Sequence, residues 1–386
     1  GYFTNRYTIF SDDQTRADRE QFISRFRLEP KDKKAYARGK LTEPIKPIVF
    51  YIDPATPKKW VSYLKQGIED WNVAFEAAGF KHAIQARDWP EDDSTMSVDD
   101  ARYNVLRYLP AEIENAYGPH IVDPRSGETI ESHICWYHNV MNLLTKWYMT
   151  QCGPLDKRAQ TMHMDDRLMG ELIRFVSSHE VGHTLGLRHN MGASYATPVE
   201  KLRDKKWVEE HGHTASIMDY ARFNYVVQPE DKGVTLDPPT VGTYDKYAIE
   251  WTYKYFPDTN GDAIEEFKRL SAFVEKHAHD PEYRYGMPQD GSRAYDPSAI
   301  EEDLSGDPVA ASTLGLKNLK YIISHLGEWF AKDEEADHRT KLYEGIAGQA
   351  MRYVHNVFLN VPGIYLNQTS EASGLPRYRV VPKAKQ

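Results

Sequence analysis

The chain has 386 residues, 40% hydrophobic and 12% aromatic, which suits a globular fold of about two domains and excludes a disordered one. A net charge of -9 argues against nucleic acid and anionic membrane surfaces as partners. No apolar run approaches the length that spans a bilayer.

The opening Gly1-Tyr2-Phe3-Thr4 carries neither an initiator Met nor a signal peptide, so a processed or truncated piece of a longer protein is expected. Aromatic-rich runs at 2–10 and 22–28 read as strands. They belong either to the end of a preceding domain or to a cover on this one, and define an N-terminal segment at 1–39. The run Pro47-Ile48-Val49-Phe50-Tyr51-Ile52 reads as a buried strand. Thr56 and Pro57 follow as N-cap and first helical residue. Trp60, Leu64, Ile68, Trp71 and Phe75 recur at helical spacing and predict one apolar face through to Gly79. Further strands are expected at 83–86 and 103–108. Segments 117–122 and 129–134 flank the turn-rich Asp123-Pro124-Arg125-Ser126-Gly127, which predicts a hairpin. Cys135 and Cys152 are either a disulfide of an exported protein or two buried thiols, and their spacing does not choose.

The next helix is expected from Asp165 or Asp166 to Leu185, with Leu172, Phe175 or Val176, His179 and His183 on one side. It carries the densest chemistry of the chain, His179-Glu180-Val181-Gly182-His183-Thr184-Leu185-Gly186-Leu187-Arg188-His189. Residues four apart share a helix face, so His179 and His183 can aim at a common centre. Glu180, one step around, is better placed to orient a water there than to ligate a metal. Gly186 tolerates a left-handed turn that ends the helix and brings His189 round as third ligand. Three protein ligands leave a fourth tetrahedral position open, as in a catalytic zinc site. Iron and manganese also accept imidazole, but a tetrahedral three-His set beside a carboxylate favours zinc.

Between His189 and Ser216, the charged stretch 201–210 reads as an exposed helical insertion. His211 and His213 are either loop histidines or an extra metal site. Asp258-Thr259-Asn260-Gly261-Asp262 resembles a calcium loop superficially but lacks its ligand pattern, so Asp262 is expected to cap a helix. Beyond 257 the chain reads as mainly helical. Leu319, Ile322, Ile323, Leu326 and Phe330 form one apolar series, and Leu342, Ile346, Met351, Val354 and Phe358 another. Asn367-Gln368-Thr369 is a glycosylation sequon.

The extended three-His motif resembles that of the metzincin metalloproteases. That family carries a methionine-containing turn beneath the metal, and Ser216-Ile217-Met218-Asp219-Tyr220 is similar to it. The resemblance implies that Met218 packs as an apolar floor under the ligands. It also puts Tyr220 where some metzincin branches have a tyrosine whose hydroxyl approaches the metal or the oxyanion. A buried core tyrosine is the other reading, in a chain with 25 of them. The order of elements before the motif agrees with a metzincin upper subdomain, and 242–251 resembles the helix that closes many such domains. The implied fold is α+β: a metzincin-like catalytic domain at 40–256, with a twisted mixed sheet, an antiparallel edge strand and two long helices, then a mainly helical region at 257–386. Gly118, Pro119 and His120 would line the cleft on the edge strand that takes the substrate backbone. The implied activity is that of a Zn2+-dependent endopeptidase acting on protein or peptide, with Glu180 as general base. Two rivals stay open: a zinc-binding module whose catalysis has lapsed, and a hydrolase of non-peptide amides or esters. Asn190 departs from the Asp, Glu, Ser or Pro that follows the third His in the best-known branches. With that Asn, the wider resemblance is to large exported bacterial metzincin-type proteases, which implies an exported protein. Substrate, latency and oligomeric state stay open.

Overall fold

A computed structural model describes residues 1–161, 163–289, 294–331, 336–368 and 370–386, the side chains of 336–338 excepted. The chain divides into two compact units. One comprises Gly1–Val140, Val176–Arg188 and Ala248–Asn260; the other comprises Met141–Phe175, His189–Tyr247 and Gly261–Gln386.

In the first unit, β1 (Thr4–Ile9) and β2 (Asp18–Ile23) form an antiparallel hairpin, followed by the short α1 (Lys33–Ala37). The main sheet contains β3 (Ile48–Ile52), β4 (Ile84–Asp88), β5 (Asn104–Leu109), β6 (Ala116–Tyr117), β7 (His120–Val122) and β8 (Thr129–Tyr137). Its order is β4-β3-β5-β8-β6, with β7 also on β8. The pairs among β4, β3, β5 and β8 are parallel, whereas β6 and β7 run antiparallel to β8, so the sheet is mixed. Parallel neighbours need a crossover, and α2 (Lys58–Glu69) with α3 (Asn72–Ala77) makes it between β3 and β4.

The apolar series Trp60, Leu64, Ile68, Trp71 and Phe75 is buried as its spacing predicts. It is carried by two helices rather than one, because the chain breaks at Asp70 and Trp71. Thr56 is not the cap of α2. Its amide closes a turn onto the Asp53 carbonyl, its hydroxyl has no hydrogen-bond partner, and Pro57 takes the N-cap position. The expected strand at 117–122 is divided at Gly118 and Pro119. Tyr117 faces Cys135 and His120 faces Ser132, so register is kept across the gap, and Pro119 has no N–H to give the ladder.

One helix interrupts the expected order. Between the hairpin and the helix that carries His179 and His183 lies α4 (Val140–Cys152), none of whose residues is exposed. Then come α5 (Asp166–Thr184), α6 (Val199–Leu202), α7 (Lys205–His211) and α8 (Thr243–Tyr253). The expected exposed insertion at 201–210 is helical but anchored, since Leu202 and Val208 are buried. Asp262 caps α9 (Ala263–His277), its carboxylate accepting from the Ile264 and Glu265 amides at 2.9 and 3.1 Å. The helices α10 (Pro308–Trp329) and α11 (Ala336–Phe358) pack on each other over a core including Leu319, Ile322, Leu342, Ile346 and Tyr353. The expected faces are only partly right: Ile323, Met351, Val354 and Phe358 are exposed, while Gln349 and Asn356 are buried in their stead. β9 (Ile364–Leu366) and β10 (Tyr378–Val380) pair antiparallel, an element beyond the mainly helical pattern expected after 257. Cys135 and Cys152 are free thiols, and burial pushes Cys152 well above the ordinary thiol range. Thr369 of the sequon lies outside the described residues.

Candidate metal centre

Asp165 starts α5, its carboxylate accepting from the Arg167 and Leu168 amides at 3.0 and 3.1 Å. Along the helix, Leu172, Phe175, Val176, His179 and Glu180 are buried. Two hydrogen bonds fix its second half: the Trp71 indole donates to the Ser178 carbonyl (2.8 Å), and the Ser177 hydroxyl donates to the Leu64 carbonyl (3.0 Å). The helix ends as the glycine predicts. Gly186 has φ +98, and a Cβ there would collide with the Ser24 carbonyl oxygen. The turn beyond is held from outside. The Tyr253 hydroxyl donates to the Leu185 carbonyl (3.0 Å), the Phe3 amide to the Gly186 carbonyl (2.8 Å), and the Arg188 amide to the Gly1 carbonyl (2.9 Å).

His179, His183 and His189 each offer one ring nitrogen, and these three atoms lie within 4.8 Å of one another. The His179 and His183 rings meet edge to face, 4.9 Å apart. His183 Nδ1 lies 2.9 Å from the Leu187 carbonyl, which can only accept. The proton therefore sits on Nδ1 and the lone pair on Nε2, which fixes the tautomer a metal ligand needs. Burial pushes His183 down to about 4, so its ring is neutral near pH 7. Three converging imidazoles, that of His183 neutral and with its tautomer fixed, fit zinc.

The Met218 turn is clamped by Asp245 in the first turn of α8. Its carboxylate accepts from the Ser216 hydroxyl (2.6 Å) and from the Ile217 and Gly242 amides (both 2.8 Å). Met218 is fully buried, and its carbonyl accepts from the Asn190 amide at 2.9 Å, directly after the third imidazole. The Tyr220 ring lies 4.2 Å from that of His189. Of the three expected edge-strand residues, only His120 is in a strand. Gly118 faces the backbone of α5, where a Cβ would lie 2.5 Å from the Glu180 carbonyl oxygen. The Pro119 carbonyl accepts from the Ser132 hydroxyl at 2.6 Å. The His120 ring packs on Phe3 (5.3 Å), which packs on His183 (6.0 Å). Burial holds His120 below its ordinary range.

A family model described as Met-zincin matches residues 161–386, more than half of the chain. The chain belongs to the Met-zincin family. A second model, described as a domain of unknown function, matches residues 1–31. No curated protein and no solved structure matches the chain.

Several residues around this Met-zincin triad carry no motif. Asn190 is visible in the sequence only as a departure from better-known branches, yet it is fully buried and bonded on both sides. Its side-chain amide donates to the Arg284 carbonyl (2.9 Å) and accepts from the Gly286 amide (2.7 Å). Asp219 accepts from the Ser194 amide (2.7 Å) and the Thr214 hydroxyl (3.1 Å). Phe3 reaches the site from the far N-terminus. His211 and His213 are engaged in the structure: His211 stacks on Trp207 at 3.8 Å, and His213 Nε2 donates to the Arg222 carbonyl at 3.1 Å. Among the described residues, the His179–His183–His189 triad is the grouping that could hold a metal.

Proposed function

We propose that this Met-zincin is a zinc-dependent endopeptidase in which Glu180 is the general base. The carrying observation is the convergence of three imidazoles beside a buried carboxylate one residue along the same helix. His179, His183 and His189 would hold zinc, which would supply the Lewis acidity to lower the pKa of a water toward neutrality and to polarise a carbonyl. Glu180 accepts the proton of the attacking water and delivers it to the leaving amine. The Tyr220 hydroxyl donates to the oxyanion as the carbonyl carbon becomes tetrahedral. Met218 walls the site from within, and the Asp245 clamp keeps its turn in place. Residues Gly118 to His120 take the substrate backbone; the fit of Gly118 against the Glu180 carbonyl supports this. Export from the producing cell is part of the same reading.

A peptide-library digest with parallel zinc analysis tests the proposal. Cleavage that a chelator abolishes and zinc restores is the expected result. Bound zinc with no cleavage would move the chain to a binding module, and activity confined to small amides or esters would move it to another class of hydrolase.

A further inference from the structure

Buried charges surround Tyr220 that the reaction drawn above does not use. Arg222 has φ +57 and Glu302 φ +54, left-handed conformations that side chains other than glycine adopt rarely. Such residues persist where their surroundings over-determine them. The two are paired, Arg222 Nε lying 3.5 Å from Glu302 Oε1, with only 12% and 4% of their side chains exposed.

Each partner also touches Tyr220. The Arg222 guanidinium carbon lies 3.9 Å from the Tyr220 ring centroid and 3.7 Å from that of Trp147. The Glu302 backbone N–H donates to the Tyr220 carbonyl at 2.8 Å. The pair is anchored further out. Glu302 Oε2 accepts from Gln151 (3.0 Å) and Gln349 (2.7 Å), and Arg352 Nε lies 3.7 Å away. The Arg222 carbonyl is held by His213.

An apolar wall would cover the Tyr220 ring without fixing its angle. A planar guanidinium tied by a carboxylate presents a defined plane, and stacking on an aromatic ring strengthens when the cation is desolvated. Removing the Glu302 carboxylate would leave the buried Arg222 guanidinium without that partner, whereas Glu302 keeps Arg352 when Arg222 is removed. We infer that Arg222 and Glu302 are positioning residues that set the Tyr220 ring against His189. This rests on the role proposed above for Tyr220, although the geometry it predicts does not depend on turnover.

The test uses the full chain with 3-fluorotyrosine at position 220, zinc-free and zinc-loaded, comparing the unsubstituted protein with Arg222→Met, Arg222→Lys and Glu302→Gln. Arg222→Lys keeps the charge opposite Glu302 but loses the plane, so it carries the test if Arg222→Met does not fold. A single narrow 19F resonance is expected without substitution, and a shifted or broadened one in each variant at unchanged zinc stoichiometry. On a cleaved peptide, kcat should fall about tenfold with KM within about twofold. Combining Arg222→Met with Tyr220→Phe should cost no more than Tyr220→Phe alone. An unmoved resonance in a folded Arg222 variant, or additive losses with Tyr220→Phe, would overturn the inference. If Tyr220→Phe is fully active, the role given to Tyr220 fails, and the 19F spectra alone decide whether the pair positions the ring.

Discussion

At Asn190, one side-chain amide donates to the Arg284 carbonyl while accepting from the Gly286 amide, and its backbone N–H reaches Met218. Asp, Glu, Ser or Pro in its place cannot offer a donating NH2 and an accepting carbonyl together. The departure from the better-known branches thus follows from what residues 284–286 present to this position. Asn190→Asp would aim a carboxylate at the Arg284 carbonyl in a fully buried site. We expect a loss of about 2–4 kcal/mol in urea unfolding; a change below about 0.5 kcal/mol would show that the amide is dispensable.

At the scale of elements, the turn after α5 governs whether His189 reaches its two partners. Gly186 permits the turn, and the Gly1–Phe3 segment and Tyr253 hold it from outside. Gly186→Ala combines a strained φ with a collision against Ser24, so a loss of about 2 kcal/mol or more is expected. Zinc affinity should weaken with it, read by competition with a chromophoric chelator; unchanged affinity would mean that His189 is placed by other contacts. The ligand set is legible in the sequence because its spacing is local, three imidazoles within one helix and one turn. The buried series from Trp60 to Phe75 is legible for the same reason, whereas the break at Asp70 leaves no trace in its periodicity. Helix α4 is hidden differently: with no exposed residue from Val140 to Cys152, it lacks the polar stripe that marks an amphipathic helix. Contacts such as Asn190 to Gly286 and Glu302 to Tyr220 join distant segments through single hydrogen bonds, and no local pattern announces them.

For the molecule as a whole, buried titratable groups tie stability to pH. Burial lifts Asp219 to about 7 and Asp245 to about 6, from an ordinary 3.8. At these two sites the folded state binds more protons than the unfolded one between about pH 4 and 7, so their contribution falls as pH rises through that window. His213, pushed by burial from 6.5 to about 4, acts oppositely, contributing stability that is lost as pH drops through the same range. Asp245→Asn separates them. Its cost in urea unfolding should be greatest near pH 4 and smaller by about 3 kcal/mol near pH 8; a cost independent of pH would contradict a raised Asp245 pKa. The central proposal is that the His179–His183–His189 triad holds zinc and Glu180 moves the proton. Zinc content and peptide turnover of Glu180→Gln, measured beside the unsubstituted chain, test it most directly. One zinc per chain is expected in both proteins, with turnover lost by about a thousandfold or more in the variant. Undiminished cleavage by the zinc-loaded variant would contradict it.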